Sequence, residues 1–229
     1  MKTIGLIGGI SWVSTVDYYK YINEGINKKL GGLNFSRCIL HSFNYSDIKK
    51  NNDANDWDAT LKLFTEAGEN MKAGGAKAIV LCANTMHMIA EKLEAAIGIP
   101  VIHIAIETAK EIKKQRLKRI GLLGTKFTME QNFFREKLLE QQIETIIPNE
   151  GDREFIHTSI FEELGKGIFK DSTKIHYLQI IQGLMDKGAE GIVFGCTEIP
   201  LLIKPQDIEM PSFDTTYIHS MAAVEFVLS

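Results

Sequence analysis

The chain has 229 residues, 45% of them hydrophobic and 24% charged, with a formal net charge of -3. This is the composition of a soluble globular protein with enough apolar residues for a substantial core. Without a basic footprint, nucleic acid and anionic membrane are excluded as main partners, and no apolar stretch approaches the roughly 18 residues of a membrane span.

Met1-Lys2-Thr3 runs straight into a strand-like segment, so no signal peptide is read and a cytoplasmic location is expected. Strands are predicted over Thr3–Ile7, Arg37–His41, Ala78–Cys82, Val101–Ile104, Arg119–Leu123, Glu144–Ile147, Gly191–Phe194 and Met210–Phe213. Several are continuously apolar, as strands buried on both faces of a parallel sheet are. Amphipathic helices lie between them. Thr15, Tyr18, Ile22, Ile26 and Leu30 share one face, as do Leu61, Phe64, Gly68 and Met71, and later Leu178, Ile181 and Met185. Strand and helix in alternation predict an α/β fold with right-handed crossovers. Cys38, Cys82 and Cys196 are odd in number and far apart, which suits free thiols in a reducing compartment. There is no C-x-x-C, and the six histidines are scattered, so no metal site is expected.

An internal repeat organises the chain. Lys2-Thr3-Ile4-Gly5-Leu6-Ile7-Gly8 returns as Lys118-Arg119-Ile120-Gly121-Leu122-Leu123-Gly124. Gly75-Ala76-Lys77-Ala78-Ile79-Val80-Leu81-Cys82-Ala83-Asn84-Thr85 returns as Gly188-Ala189-Glu190-Gly191-Ile192-Val193-Phe194-Gly195-Cys196-Thr197-Glu198. The separations agree: 75 residues from Ile4 to Ile79, and 72 from Ile120 to Ile192. The expectation is two pseudo-symmetric three-layer α/β lobes with mainly parallel sheets, residues 1–107 with 211–229 in the first and 108–210 in the second. Ligands of open α/β sheets bind beyond the carboxyl ends of strands, so the active site is expected in a cleft between the lobes.

The residues at those strand ends are informative. Gly8-Gly9-Ile10-Ser11-Trp12-Val13-Ser14-Thr15 reads as a tight turn followed by a capped helix start, where backbone N–H groups suit a carboxylate. It lacks the spacing of a dinucleotide fingerprint and the lysine of a P-loop. Cys82-Ala83-Asn84-Thr85-Met86-His87 aligns in the repeat with Gly195-Cys196-Thr197-Glu198-Ile199-Pro200. Cys38 and Cys82 sit within strands and read as small buried hydrophobes. Cys196 lies one residue past its apolar run, where access and a tuned thiol can coexist. His87 reads as a helix-face hydrogen bonder ahead of a catalytic group, and His103 as a core residue. Asp214 and His219 read equally as a cap with a surface histidine or as a pair tuning a thiol.

Four segments in order, Gly8–Thr15, Cys82–His87, Phe194–Ile199 and Phe213–His219, resemble the aspartate/glutamate racemase family, nearest to its broad-specificity bacterial branch. The resemblance runs over essentially the whole chain. It implies an isomerase that removes and returns the Cα proton of an amino acid (aspartate, glutamate or broader) without pyridoxal phosphate or metal. It further implies a cytoplasmic homodimer whose only other partner is the small substrate. Carried over by position, Cys196 is the second-lobe thiol. Asn84, Thr85, Thr197 and the adjoining Glu198 line the substrate, helped by Ile10 and Ser11 in the glycine loop, while Asn52 reaches the substrate's side. A thiol with pKa near 8.5 is a weak base for a carbon acid, so donors on the carboxylate must stabilise the enolate-like charge.

One residue departs from the family. Where a cysteine or threonine precedes the Asn-Thr pair, this chain has Ala83, which the repeat aligns with Cys196. Alanine cannot move a proton. A bound water, Thr85 or His87 could relay it; Cys82 could serve, although adjacent strand residues point to opposite faces. The alanine could be an introduced substitution that traps substrate. Or the chain could run a one-thiol reaction, as related decarboxylases do. The readings are therefore a racemase, a one-thiol decarboxylase or isomerase of malonate- or maleate-like acids, and an amino-acid-binding homologue that no longer turns over. Lys126 and Lys166 are candidate partners for a distal carboxylate.

Overall fold

The computed structural model describes all 229 residues. The elements run β1 (Ile4–Gly8), α1 (Trp12–Leu30), β2 (Cys38–Ser42), α2 (Tyr45–Asp53), α3 (Trp57–Ala73), β3 (Ile79–Leu81), α4 (Ala90–Ile97), β4 (Val101–Ile102) and α5 (Ile104–Lys114). They continue with β5 (Arg119–Leu123), α6 (Lys126–Glu130), α7 (Asn132–Leu139), β6 (Glu144–Ile146), α8 (Glu150–Glu162), α9 (Asp171–Asp186), β7 (Gly191–Phe194), α10 (Ile199–Leu202), β8 (Ser212–Asp214) and α11 (Thr215–Leu228). All eight expected strands are present. Val101–Ile104 is shortened, because α5 begins at Ile104.

Two four-stranded, all-parallel sheets form, ordered β2-β1-β3-β4 and β6-β5-β7-β8. The repeat is thus a repeat of topology: in each sheet the first strand pairs with the second on one side and the third on the other. The chain divides into one compact unit of Met1–Ile104 with His219–Ser229 and another of Ala105–Ile218. The expected boundary at residue 211 therefore moves. Phe213 pairs with Val193, so β8 completes the second sheet, and the return to the first unit comes at His219 inside α11.

In the first unit, alternation along the strands fills two apolar layers. Ile4, Leu6, Val80 and Cys82 pack with Tyr18, Ile22 and Ile26 of α1 and with Ala223, Val224 and Val227 of α11. Ile7, Ile79 and Leu81 pack on the other face with Ile48, Phe64, Met71 and Leu93. Leu30, expected on the buried face of α1, is 48% exposed, since the core beneath the helix ends at Ile26. Gly5 lets α3 approach the sheet: a Cβ there would stand 2.5 Å from Met71 Sδ. Its repeat partner Gly121 does the same in the second unit, where a Cβ would meet Leu184 at 3.0 Å. The buried face of α9 is Tyr177, Ile180, Ile181 and Leu184; of the expected Leu178, Ile181 and Met185, Ile181 lies on it and the other two sit one residue away from buried positions. Tyr177 turns inward because its hydroxyl finds Ser159 Oγ at 2.9 Å.

Candidate active site

A strand order in which the chain leaves the first strand to one side and returns on the other creates a switch point between the first and third strands, and a crevice at their carboxyl ends. In the first unit that crevice lies between the ends of β1 and β3, in the second between β5 and β7. The first is bordered by Gly8–Ser11 and Ala83–Thr85, the second by Gly124, Thr125 and Cys196–Glu198.

In the first unit, Gly9 adopts φ +85°, and a Cβ there would fall 2.1 Å from the Phe43 carbonyl, so only glycine fits this turn. Ser11 caps α1 by accepting from Ser14 N at 3.3 Å. Thr15 Oγ1 accepts from Gly9 N at 3.0 Å and donates to Ser11 O at 2.9 Å, cross-bracing the loop. Ser14 Oγ donates to Cys82 O at 3.0 Å, tying the β1 and β3 loops together. Ile10 and Ala83 both lie against the Phe64–Leu93 core. Cys82 is buried in the opposite layer with its thiol pushed up by burial, so it does not stand in for Ala83. Asn52 sits in the last turns of α2, with a buried Oδ1 that has no hydrogen-bond partner.

His87 points inward. Its Nδ1 lies 3.1 Å from the carbonyls of both Ala83 and Asn84. Carbonyls only accept, so Nδ1 carries the proton. The ring stands 4.9 Å from His103 and 5.2 Å from His219, centroid to centroid. His219 Nε2 donates to Ile102 O at 2.7 Å, which leaves Nδ1 to accept from Tyr18 OH at 2.8 Å. Burial pushes His87 and His219 down to about 3, so both are neutral near pH 7. His87 therefore stands as a buried, neutral ring whose Nδ1 proton is given to the Ala83 and Asn84 carbonyls. The Asp214–His219 pairing separates as well. Asp214 caps α11 by accepting from Thr216 N at 2.9 Å, while His219 belongs to the buried imidazole cluster of the first unit.

In the second unit, Thr215 Oγ1 donates to Phe194 O at 2.9 Å and Gly195 N to Leu123 O at 2.6 Å, fixing the end of β7. Cys196 follows. Its Sγ donates to Glu198 Oε2 at 2.8 Å, and Thr197 Oγ1 donates to the same oxygen at 2.8 Å. Glu198 is buried, at 8% exposure. Burial, then the charge and hydrogen bond of Glu198, hold the Cys196 thiol well above its ordinary value, so at rest it is a neutral acid. The only sequence signal for this pairing is the i, i+2 spacing; the carboxylate of Glu198, expected to line the substrate, is directed at Cys196 and Thr197 instead. Lys126 is ion-paired with Glu154, and Lys166 with Glu162 at 2.5 Å, so neither stands uncommitted for a distal carboxylate. No three His, Cys, Asp or Glu side chains are grouped as metal ligands, and no helix is long and apolar enough to cross a membrane.

Comparison with known proteins agrees with this layout. The family described as Asp/Glu/Hydantoin racemase matches residues 7–223. A crystal structure of an Asp/Glu racemase candidate from Yersinia pestis superposes with a TM-score of 0.96 at 45% identity over 100% of both chains. An aspartate racemase homologue from Pyrococcus horikoshii OT3 gives 0.89 at 33% identity, again over 100% of both. The broad specificity amino-acid racemase RacX of Bacillus subtilis is 22% identical, covering 99% of this chain and 98% of its own.

Proposed function

The chain belongs to the Asp/Glu/Hydantoin racemase family, and from that membership we propose that it inverts amino acids at Cα, with Cys196 as the working thiol and without pyridoxal phosphate or metal. The observation that carries this is the 2.8 Å hydrogen bond from Cys196 Sγ to the buried carboxylate of Glu198. Abstraction requires a thiolate. Glu198 Oε2 takes the Sγ proton, and the thiolate sulfur then takes the Cα proton, leaving the electron pair delocalised into the substrate carboxylate. In the reverse direction the S–H bond breaks toward the same carbon. Ser11, Asn84 and Thr85 supply donors for the enolate oxygens, while Thr197 lines the substrate with its hydroxyl proton given to Glu198 Oε2. The donors matter because the carbon acid is far weaker than the thiol. The partnerless buried oxygen of Asn52 suits the substrate ammonium, since an unmade hydrogen bond there costs about 1–3 kcal/mol.

Ala83 brings no proton to the second face of the carbanion, so water fills that role and inversion is slower than exchange. A missing acid/base group lowers a rate by about 10²–10⁴. The same methyl group favours a second reading, a one-thiol decarboxylase or isomerase acting on a malonate- or maleate-like acid. Carbon dioxide released with a single-handed product would select it.

Two further features belong to the proposal. A working thiol needs a reducing compartment, and all three cysteines are free, which supports the cytoplasm. Trp12, Val16 and Tyr19 form a stripe along α1, 72%, 54% and 53% exposed, which supports a homodimer. The test of the activity is loss of the Cα proton signal from L- and D-amino acids in deuterated buffer, with Cys196→Ser as the control.

A further inference from the structure

The loop after β3 shows an arrangement that the reaction as described does not use. Three successive carbonyls, those of Cys82, Ala83 and Asn84, are each held by a buried side chain. Ser14 Oγ donates to the first at 3.0 Å, and His87 Nδ1 reaches the second and third at 3.1 Å. The Asn84 carbonyl also accepts from His87 N at 3.0 Å, so one residue grips the loop through both backbone and ring. His87 is itself immobilised. Its ring, 2% exposed, packs edge-on against His103 and His219, and His219 is locked by Tyr18 OH and Ile102 O. Ser14 and Tyr18 are one turn apart on the same face of α1. That helix therefore holds the loop twice, directly through Ser14 and through the imidazoles by way of Tyr18. Peptide groups are planar and trans here, so drawing a carbonyl inward turns the N–H of the next residue the opposite way. The grip on the Ala83 and Asn84 carbonyls thus sets the direction in which Asn84 and Thr85 present their amides.

We propose that His87 is a positioning residue that acts as a neutral Nδ1–H latch on the Ala83 and Asn84 carbonyls and fixes Asn84 and Thr85 for the substrate. In this role it is not an acid or base of the reaction: the ring is buried and its Nδ1 proton is committed to the two carbonyls. This rests on the proposed amino-acid chemistry for its kinetic consequence, but the latch itself is a property of the free protein. Misplacing a binding group by about 1 Å costs on the order of 10²-fold in rate.

Three substitutions separate the latch from mere filling of space. Asparagine puts an N–H donor where Nδ1 stands; glutamine puts its amide near the Nε2 position; leucine fills the space with no donor. His87→Asn is expected to keep kcat/KM within about threefold of the parent, whereas His87→Gln and His87→Leu lower it about tenfold to a hundredfold, with much of the loss in KM. Independently of activity, the amide ¹⁵N–¹H signals of Asn84 and Thr85 in the unliganded protein should hold their positions in His87→Asn and move in His87→Gln. Equal behaviour of the asparagine and glutamine variants in the amide spectrum would overturn the latch. A parent protein that exchanges no Cα proton, with the amide pattern as expected, would instead reject the proposed function and leave the latch standing.

Discussion

Acidification should weaken the first unit through two buried imidazoles. His87 and His219 are held neutral by burial, each pushed down to about 3, whereas in an unfolded chain they titrate near 6.5. Their folded values lie below their unfolded ones. There is no penalty above about pH 6.5. As pH falls below that value the unfolded state binds protons the native state refuses, and stability drops until about pH 3. Between pH 7 and pH 5 each histidine costs about 2 kcal/mol, or about 4 kcal/mol together, at about 1.4 kcal/mol per pH unit per proton. That is a large part of a typical stability of about 5–15 kcal/mol. Urea unfolding at half-unit steps over this range measures the slope, and ¹⁵N-resolved imidazole spectra identify the sites. The expected result is two histidines that keep one neutral tautomer down to pH 5, with a stability slope near two protons between pH 6 and pH 5. If both rings titrate near 6.5 in the folded protein, or stability is flat across the range, the assignment of a neutral cluster is wrong.

Other consequences follow from the second unit and the surface. Removing the charge of Glu198 by Glu198→Gln leaves burial as the main influence on Cys196, so the pH midpoint for thiol alkylation should move down while kcat falls at least about tenfold; a midpoint that stays or rises contradicts the pairing. Ala83→Cys supplies the missing second acid/base group, and inversion should accelerate about 10²-fold relative to exchange; an unchanged ratio would show that water is not limiting on that face. Trp12→Glu places a charge in the exposed α1 stripe and should convert a dimer to a monomer in sedimentation, with the far-ultraviolet spectrum unchanged. A parent protein that sediments as a monomer would refute that assignment.

Much of this architecture is written locally. Continuous apolar runs at Ile4–Gly8 and Gly191–Phe194 mark strands buried on both faces, and the paired glycines Gly5 and Gly121 recur because a helix must cross close above each. The strand-end motifs fall at the two switch points because strand order, not local sequence, creates those crevices. What the sequence concealed depends on long-range partners. The Met210–Phe213 segment has no local mark of which sheet it joins; pairing of Phe213 with Val193 decides it. His87, His103 and His219 are scattered in sequence, yet β4 and α11 bring them into one edge-on cluster. Glu198 is ambiguous in one dimension because substrate contact and thiol partner share the same spacing. Only the direction of its carboxylate, toward Sγ, separates the two.

The most direct test of the central claim is proton NMR of enantiopure L- and D-aspartate, glutamate and neutral amino acids with the protein in deuterated buffer, with Cys196→Ser in parallel. Solvent deuterium should enter Cα of at least one of these amino acids, ahead of any inversion, and the Cys196→Ser variant should slow it by at least about 10²-fold. Exchange that persists undiminished in Cys196→Ser, or no exchange from either enantiomer of any of them, would contradict the account.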